Sequence, residues 1–329
     1  MRDKGLILAW ALLFAAVASG VLYAEFAYNG GGDLRSGVTL SRGDGGQVSD
    51  VGDAAMTTAP TASQATGAGA AAASGSAAQT PAIDTVQPPP RVAFAAAAPI
   101  AGDMRPRIVL IMSEIGLSRA RSREAIERLP PAVTIAVIAY ADDRDSWVRD
   151  ARAIGHEALI AAPMEPENYP LVDPGPDPLL IDMDDLENLA RYDRALDGAA
   201  GVVGVLAHRG GRFLGDRDRL RPILASTQDR GLIFVDNRSS PTSAVASLAA
   251  ELDLHVLLND RFVDAEPSRE AIQTRLGELE EIATRRGYAV GVATPYPVSI
   301  EQIRRWADSL GERGYVLAPV SAVARIPAP

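Results

Sequence analysis

The sequence contains no cysteine, one lysine and three histidines among its 329 residues. The absence of cysteine excludes disulfide bonds, thiolate metal sites and cysteine nucleophiles. Because the one lysine is Lys4, almost all of the positive charge lies on arginine. The net charge of −10 gives no support for a nucleic-acid partner or for binding to an anionic membrane surface.

The N-terminus predicts a segment that enters a membrane. Arg2 and Lys4 precede residues 5–23, a run of nineteen residues without a charge. Its length favours an uncleaved anchor, although the small residues at 16–18 would also suit the cleavage site of a signal peptide. The positive flank stays inside. We therefore expect a single pass through the cytoplasmic (inner) membrane, with the folded domain in the periplasm.

The composition divides the chain into three parts. Residues 1–28 form the predicted transmembrane anchor or signal segment. Residues 29–103 are dominated by Gly, Ala, Ser, Thr and Pro and cannot bury enough apolar surface to fold, which predicts a disordered, low-complexity linker. Apolar residues recur regularly over 104–329, and about 225 residues are enough for a substantial core. One folded domain is therefore expected.

Short apolar runs alternate with longer amphipathic stretches after the linker, which is typical of βα units with parallel strands. Seven or eight units predict an α/β fold of the barrel type, with a doubly wound open sheet as the alternative. The predicted strands are 107–112, 133–138, 157–161, 202–206, 232–236, 255–258, 289–293 and 315–319. The predicted helices are 122–129, 145–154, 184–197, 216–230, 243–252, 270–286 and 300–313.

In either architecture, chemistry is expected at the C-terminal ends of the strands, which we call the rim. His156 and His255 lie at the starts of strands and are expected to be structural. His208 is the one histidine expected at the rim. Other polar residues expected there are Ser113, Glu114, Glu165, Asp236, Asn237, Arg238, Asn259, Asp260, Thr294 and Tyr296.

The segment GHEALIAAPMEPENYPLVDPGP at 155–176 is a buried strand followed by a loop in which prolines forbid a helix. It resembles a signature of the divergent polysaccharide deacetylase family, in which a strand ending in histidine is followed by PMEP, YP and DPGP. Ala161 holds the place of that histidine. Four further segments, SEIGLS (113–118), AHRGGRF (207–213), FVDNRSS (234–240) and NDRFVD (259–264), also resemble motifs of the family, and TPYP (294–297) resembles its His-Pro-x-Pro turn.

The resemblance implies a distorted (β/α)7–8 barrel of the polysaccharide deacetylase type. Such enzymes hold a divalent metal such as zinc with an aspartate and two histidines, and the metal lowers the pKa of a bound water. This sequence departs from that pattern at four positions, namely Ser113, Ala161, Ala207 and Thr294. A metal and no metal are therefore both open as predictions, with His208 and Glu114 as the candidate ligands.

Several polar residues of these motifs remain and form the candidate site. The candidate catalytic residues are Glu114, His208 and Asp236. The candidate substrate-binding residues are Glu165, Arg212, Arg238, Asp260 and Tyr296. A structural ion pair between Asp236 and Arg238, and a capping role for Asp264, are the alternatives to chemistry at those positions.

Three functions remain open at this point. The first is a membrane-tethered domain that acts on or binds an envelope polysaccharide or a peptidoglycan-associated glycan, with a degraded metal site and little or no deacetylase activity. The second is a metal-dependent hydrolase that removes acetyl groups from such a glycan. The third is glycoside hydrolysis by paired carboxylates, which requires two acids about 5 or 6.5 to 9.5 Å apart.

Overall fold

The computed structural model describes residues 88–95 and 103–324. Its strands are β1 (Arg107–Ile115), β2 (Thr134–Ile138), β3 (Ala158–Met164), β4 (Val202–Arg209), β5 (Ile233–Asp236), β6 (Val256–Leu258), β7 (Arg261–Phe262), β8 (Tyr288–Ala293) and β9 (Val316–Leu317). All eight predicted strands are therefore present. Only the two-residue strand β7 was not foreseen.

Helices follow the strands in alternation, as the periodicity predicted. They are α1 (Pro90–Ala93), α2 (Arg119–Arg128), α3 (Arg144–Ile154), α4 (Asp185–Leu196), α5 (Gly211–Gly215), α6 (Arg217–Asp229), α7 (Val245–Leu252), α8 (Arg269–Arg286), α9 (Pro297–Asp308) and α10 (Val320–Val323). The side chains of Asp184, Asp216 and Ser268 cap α4, α6 and α8 by accepting hydrogen bonds from backbone N–H groups. These caps fix helix starts at the rim.

The strands form one sheet in which all pairings are parallel. The order is β6-β5-β4-β3-β2-β1-β8-β7, and β9 pairs with the start of β1. From β1 to β6, strands consecutive in sequence are neighbours in the sheet. This serial order is that of a barrel and not of a doubly wound sheet, whose strand order reverses at a switch point.

The two faces of the sheet bury different cores. The helices α2 to α9 pack on the outer face, against residues such as Leu110 and Ile160. The inner face carries a smaller apolar cluster that includes Val109, Leu159 and Leu257, together with residues of α10. Strands from both ends of the sheet contribute to this inner cluster, so the sheet is rolled around it.

The roll is not closed by hydrogen bonds between its two edge strands, β6 and β7. The main chain itself crosses the gap. The N–H of Asn259 donates to the carbonyl oxygen of Asp236, the last residue of β5, whereas the N–H of the next residue, Asp260, donates to the carbonyl oxygen of Val290 in β8. The domain is therefore a parallel α/β half-barrel, which agrees with the expectation of a distorted barrel of the polysaccharide deacetylase type. We call this crossing the seam.

The remaining predictions of domain organisation concern the N-terminus. The predicted anchor at 5–23 and most of the predicted linker lie outside the described residues. Within the linker range, Pro90–Ala93 forms α1, and the N–H of Arg91 donates to the carbonyl oxygen of Gly231 before β5. Among the described residues, no helix combines the length and the apolar character needed to cross a membrane.

Candidate functional site

Five side chains near the ends of four strands are linked by charge at the rim, and we call this group the mouth. They are Glu114 at the end of β1, Tyr140 after β2, His208 and Arg209 at the end of β4, and Asp264 after β7. Burial raises the pKa of both Glu114 and Tyr140. The positive charge of Arg209 opposes both shifts, whereas Asp264 adds to that of Glu114 and Glu114 adds to that of Tyr140. Arg209 also lowers the pKa of its neighbour His208, so two of the three predicted catalytic residues, Glu114 and His208, lie within reach of the same guanidinium charge.

His208 is held at the mouth as a neutral base. His208 lies two residues after Leu206, and residues two apart in a strand share a face. Because Leu206 packs into the inner cluster, the ring of His208 is on the inner face of β4. It is 8% exposed, and burial together with the positive charge of Arg209 lowers its pKa to about 4. Among residues 88–95 and 103–324, no group forms a hydrogen bond with its ring nitrogens, so the imidazole is available to a ligand.

The two acids of the mouth differ in how firmly they are held. Burial is the main cause that raises the pKa of both Glu114 and Asp264. Asp264 accepts hydrogen bonds from the N–H of Thr294 at 2.8 Å and from the hydroxyl of Ser299 at 2.6 Å, so its structural role is to hold the distant turn between β8 and α9 and not the segment that follows it in sequence. Glu114 has a left-handed backbone at φ 57° and a partly exposed side chain. Glu114 is therefore the freer acid.

At the C-terminal ends of three strands, the positions that face the inside of the half-barrel do not carry the metal ligands that the family resemblance implies. Ser113, Ala161 and Thr294 continue the inward alternation of β1, β3 and β8, and the Ser113 hydroxyl donates to the carbonyl oxygen of Ala293 at 2.9 Å. In the described part of the chain, no three His, Asp or Glu side chains are grouped so that they could hold a metal ion. The residues present do not fit a three-ligand divalent metal site.

Asp236, the third predicted catalytic residue, is not brought to the mouth. Val235 faces the inner cluster and Phe234 the outer one, so Asp236 lies on the outer side. Its two oxygens accept hydrogen bonds from the N–H of Arg238 at 2.6 Å and from the hydroxyl of Ser243 at 2.7 Å. These contacts hold the turn that follows β5. Its predicted catalytic role has no geometric support.

The loop after β3, residues 165–176, is fixed by Glu165. This carboxylate is 1% exposed and accepts hydrogen bonds from the guanidinium of Arg212 at 2.6 Å and from the N–H of Ile181 at 2.7 Å. Its backbone carbonyl also accepts from the N–H of Arg212. Both predicted substrate-binding residues of this loop region therefore shape the site, because their charges are paired with each other.

The far end of the same loop packs against Tyr140 of the mouth. Asp173 accepts a hydrogen bond from the N–H of Gly175 at 2.8 Å, and Gly175 packs so closely against the Tyr140 ring that a Cβ there would lie 2.3 Å from it. In the part of the loop between Glu165 and Asp173, the side chains of Tyr169 and Leu171 are 37% and 92% exposed. The loop thus presents apolar side chains to solvent from a fixed frame.

The other predicted substrate-binding residues lie elsewhere on the rim. Arg238 and Asp260 line a cavity of about 450 Å³ at the seam. Asp260 is paired with Arg286, at 3.1 Å between Oδ1 and Nη1, and accepts from the N–H of Val290. Tyr296 directly precedes α9, and the guanidinium of Arg121 lies 5.8 Å from the centre of its ring.

Sequence reasoning missed Tyr140 and Arg209 as members of the mouth. Tyr140 lies two residues and Arg209 three residues after the end of a predicted strand, so the rule that selected His208 would have found them with a slightly wider window. The structural role expected for the other histidines is confirmed. The ring nitrogens of His156 hydrogen bond with the carbonyl oxygens of Val133 and Ile126, at 2.8 and 2.9 Å.

A parallel half-barrel with a polar rim and a fixed PMEP loop is the architecture expected of a carbohydrate deacetylase-like domain. The chain belongs to the divergent polysaccharide deacetylase family, whose model matches residues 110–324. The prediction drawn from the 155–176 segment is confirmed.

The chain is also similar to three individual proteins, each of them described as uncharacterized. A crystal structure of the uncharacterized protein ATU2773 from Agrobacterium tumefaciens is 35% identical and has a TM-score of 0.69, with 71% of this chain and 95% of that chain covered. An uncharacterized protein from Haemophilus influenzae is 22% identical over 63% of this chain and 72% of its own length. The uncharacterized protein YibQ from Escherichia coli is 19% identical over 62% of this chain, and 63% of its own length is covered.

Proposed function

We propose that this protein binds a cell-envelope polysaccharide at the mouth and has little or no deacetylase activity. The proposal rests on three residues that stand where the family resemblance implies metal ligands, at inward-facing positions of the strand ends: Ser113, Ala161 and Thr294. Metal-assisted deacetylation needs about three protein ligands and an open position for water. Binding needs only a fixed shape and available polar groups, and both are retained around these substitutions.

The groups of the mouth suit a sugar. The neutral ring of His208 can donate and accept hydrogen bonds, and the hydroxyl of Tyr140 and the carboxyl of Glu114 add partners for sugar hydroxyls. The exposed ring of Tyr169 offers an apolar surface with a polar tip, beside the fixed loop. These groups support recognition of a neutral, hydroxyl-rich ligand.

The cellular setting of this proposal comes from the sequence. Residues 5–23 would anchor the chain in the inner membrane, and the domain would meet a polysaccharide or peptidoglycan-associated glycan in the periplasm. A metal-dependent hydrolase is the competing proposal. It draws on the presence of Glu114 and His208 together at the mouth, but it lacks a third ligand among the described residues.

The test uses the full-length protein in mild detergent, with chitotetraose as the acetylated glycan. Calorimetric titration should detect binding that is unchanged by EDTA, and an acetate assay should detect no release. The variant His208→Gln should weaken binding about tenfold, the equivalent of about 1.4 kcal/mol. His255→Gln is the matched control, because His255 bonds to the carbonyl of Ala324 at the opposite end of its strand.

Two outcomes contradict the proposal. Acetate release that is lost with EDTA and restored by zinc would show the metal-dependent hydrolase instead. A failure to bind chitotetraose, its deacetylated form or isolated peptidoglycan strands would remove the assignment to glycans.

A further inference from the structure

A cleft at the seam shares no lining residue with the mouth. Its cavity of about 450 Å³ is lined by Arg238, Asn259, Asp260, Arg261, Phe262, Ala265 and Arg275. Arg238 follows β5, residues 259–265 follow β6 and include β7, and Arg275 projects from α8. The cleft therefore lies where the main chain passes from one edge of the sheet to the other, and we call it the seam cleft.

The charges around the seam cleft leave a positive excess in a chain whose net charge is −10. Arg261 and Arg275 share one carboxylate, Glu278, with 2.9 Å between Glu278 and Nη1 of Arg275. Asp260 is paired with Arg286, and Asp236 lies near Arg238. The seam cleft and the residues paired with it thus contain four guanidinium groups and three carboxylates. They are Arg238, Arg261, Arg275 and Arg286, and Asp236, Asp260 and Glu278.

Arg238 is the arginine of the seam cleft whose side chain makes no direct ion pair among the described residues. Its backbone is left-handed at φ 52°, an uncommon conformation for a residue with a side chain, and Asp236 holds it through the backbone N–H at 2.6 Å. Its side chain is exposed and forms no ion pair with any residue that the structure describes. The turn thus fixes the position of the backbone while the guanidinium remains available.

The walls of the seam cleft add rigidity and an apolar surface. Asn259 is 3% exposed, and its side chain donates to the carbonyl of Asn237 at 3.1 Å and accepts from the N–H of Arg261 at 3.2 Å. The ring of Phe262, by contrast, is 40% exposed. An exposed aromatic ring beside available guanidinium groups matches a ligand with an apolar face and a negative charge.

We propose that the seam cleft binds an anionic group carried by a sugar ring, a carboxylate or a phosphate. Arg238 and Arg275 contact the anion, and Phe262 packs against the ring. This inference rests on the proposed function, since the ligand is taken to be a saccharide, and it adds that the saccharide is acidic. It also gives the protein a second contact region on the rim, separate from the mouth.

The test compares two tetrasaccharides with the same backbone, tetra-β-1,4-glucuronate and cellotetraose, on the full-length protein. The wild type should bind the glucuronate at least tenfold more tightly at low salt, and the preference should fall as salt screens the charges. Arg238→Gln and Arg275→Gln should each reduce the preference about tenfold. Competition by glucuronate or by glucose 6-phosphate identifies which anion is preferred.

Arg221→Gln is the matched control. Arg217 and Arg221 share Glu251 as Arg261 and Arg275 share Glu278, and the side chains of Arg221 and Arg275 are 47% and 45% exposed. Arg221→Gln should therefore leave the preference unchanged. Since the replaced side chains are exposed, the thermal midpoint should be unchanged in all three variants.

Equal affinity of the wild type for both tetrasaccharides overturns the inference, and so does a preference that survives in both seam variants. If the two bind equally and His208→Gln weakens both, the mouth binds a neutral glycan and the proposed function stands without an acidic ligand. If neither binds, and chitotetraose also fails, both the inference and the proposed function are wrong.

Discussion

Replacing His208 by glutamine should change how the stability of the domain depends on pH. Glutamine keeps a neutral side chain that can donate and accept hydrogen bonds, but it cannot take up a proton. In the wild type, burial and Arg209 lower the pKa of His208 from 6.5 to about 4. Because the unfolded chain binds this proton more readily than the native state, its contribution to stability is full above about pH 6.5 and is lost as the pH falls toward 4.

The magnitude follows from the difference between the two pKa values. Linkage gives a loss of about 2 kcal/mol at pH 5 and about 3 kcal/mol at full effect. Glu114, Asp236 and Asp264 have raised pKa values, so their contributions change in the opposite direction as the pH falls. They are present in both proteins, and the difference between wild type and variant therefore isolates His208.

Urea unfolding followed by circular dichroism at pH 4.5 to 7.5 measures this difference. The wild type should lose stability relative to His208→Gln as the pH falls through this range. Proton titration by NMR gives an independent value, because the chain has only three histidines. Parallel stability profiles, or a His208 resonance that titrates near 6.5, would refute the view that a neutral imidazole is buried at the mouth.

Two further substitutions test the loop that borders the mouth. Glu165→Ala removes two charge-assisted hydrogen bonds of a buried carboxylate and should lower the free energy of unfolding in urea by about 3 kcal/mol. The exposed Glu167→Ala should lower it by less than about 1 kcal/mol. Equal losses would contradict the view that Glu165 fixes the loop. Gly175→Ala, at φ 102° and against the Tyr140 ring, should destabilise by about 1 to 3 kcal/mol. Gly277→Ala, in a helix with open space around it, should stabilise by about 0.5 to 1 kcal/mol, and the same sign at both glycines would contradict the packing described.

The alternation of strands and helices was predictable because each strand is a short apolar run and each helix an amphipathic one. The rim rule then placed Glu114 and His208 correctly, since it depends only on where a strand ends. It could not tell that Asp236 lies on the outer side. That depends on register, and a shift of one residue moves a side chain to the other face of a strand.

The contacts that the sequence could not give are those between distant positions. Glu165 meets Arg212, 47 positions later, and only the geometry reveals that the two predicted substrate-binding residues neutralise each other. The seam was hidden for a different reason. Residues 255–262 read as one strand and its loop, whereas the chain changes partner strand between Asn259 and Asp260. Arg275 belongs to no motif and reaches the seam cleft only through the packing of α8.

The position of β1 in the sheet has a consequence for synthesis of the chain. It is the first strand of the domain to be made, yet its neighbour on one side is β8, and Ser113 bonds to Ala293, 180 positions later. Until β8 has left the ribosome, one edge of an apolar strand has no native partner and is open to pairing with other chains. That edge of β1 therefore lacks its native partner for most of the translation of the domain.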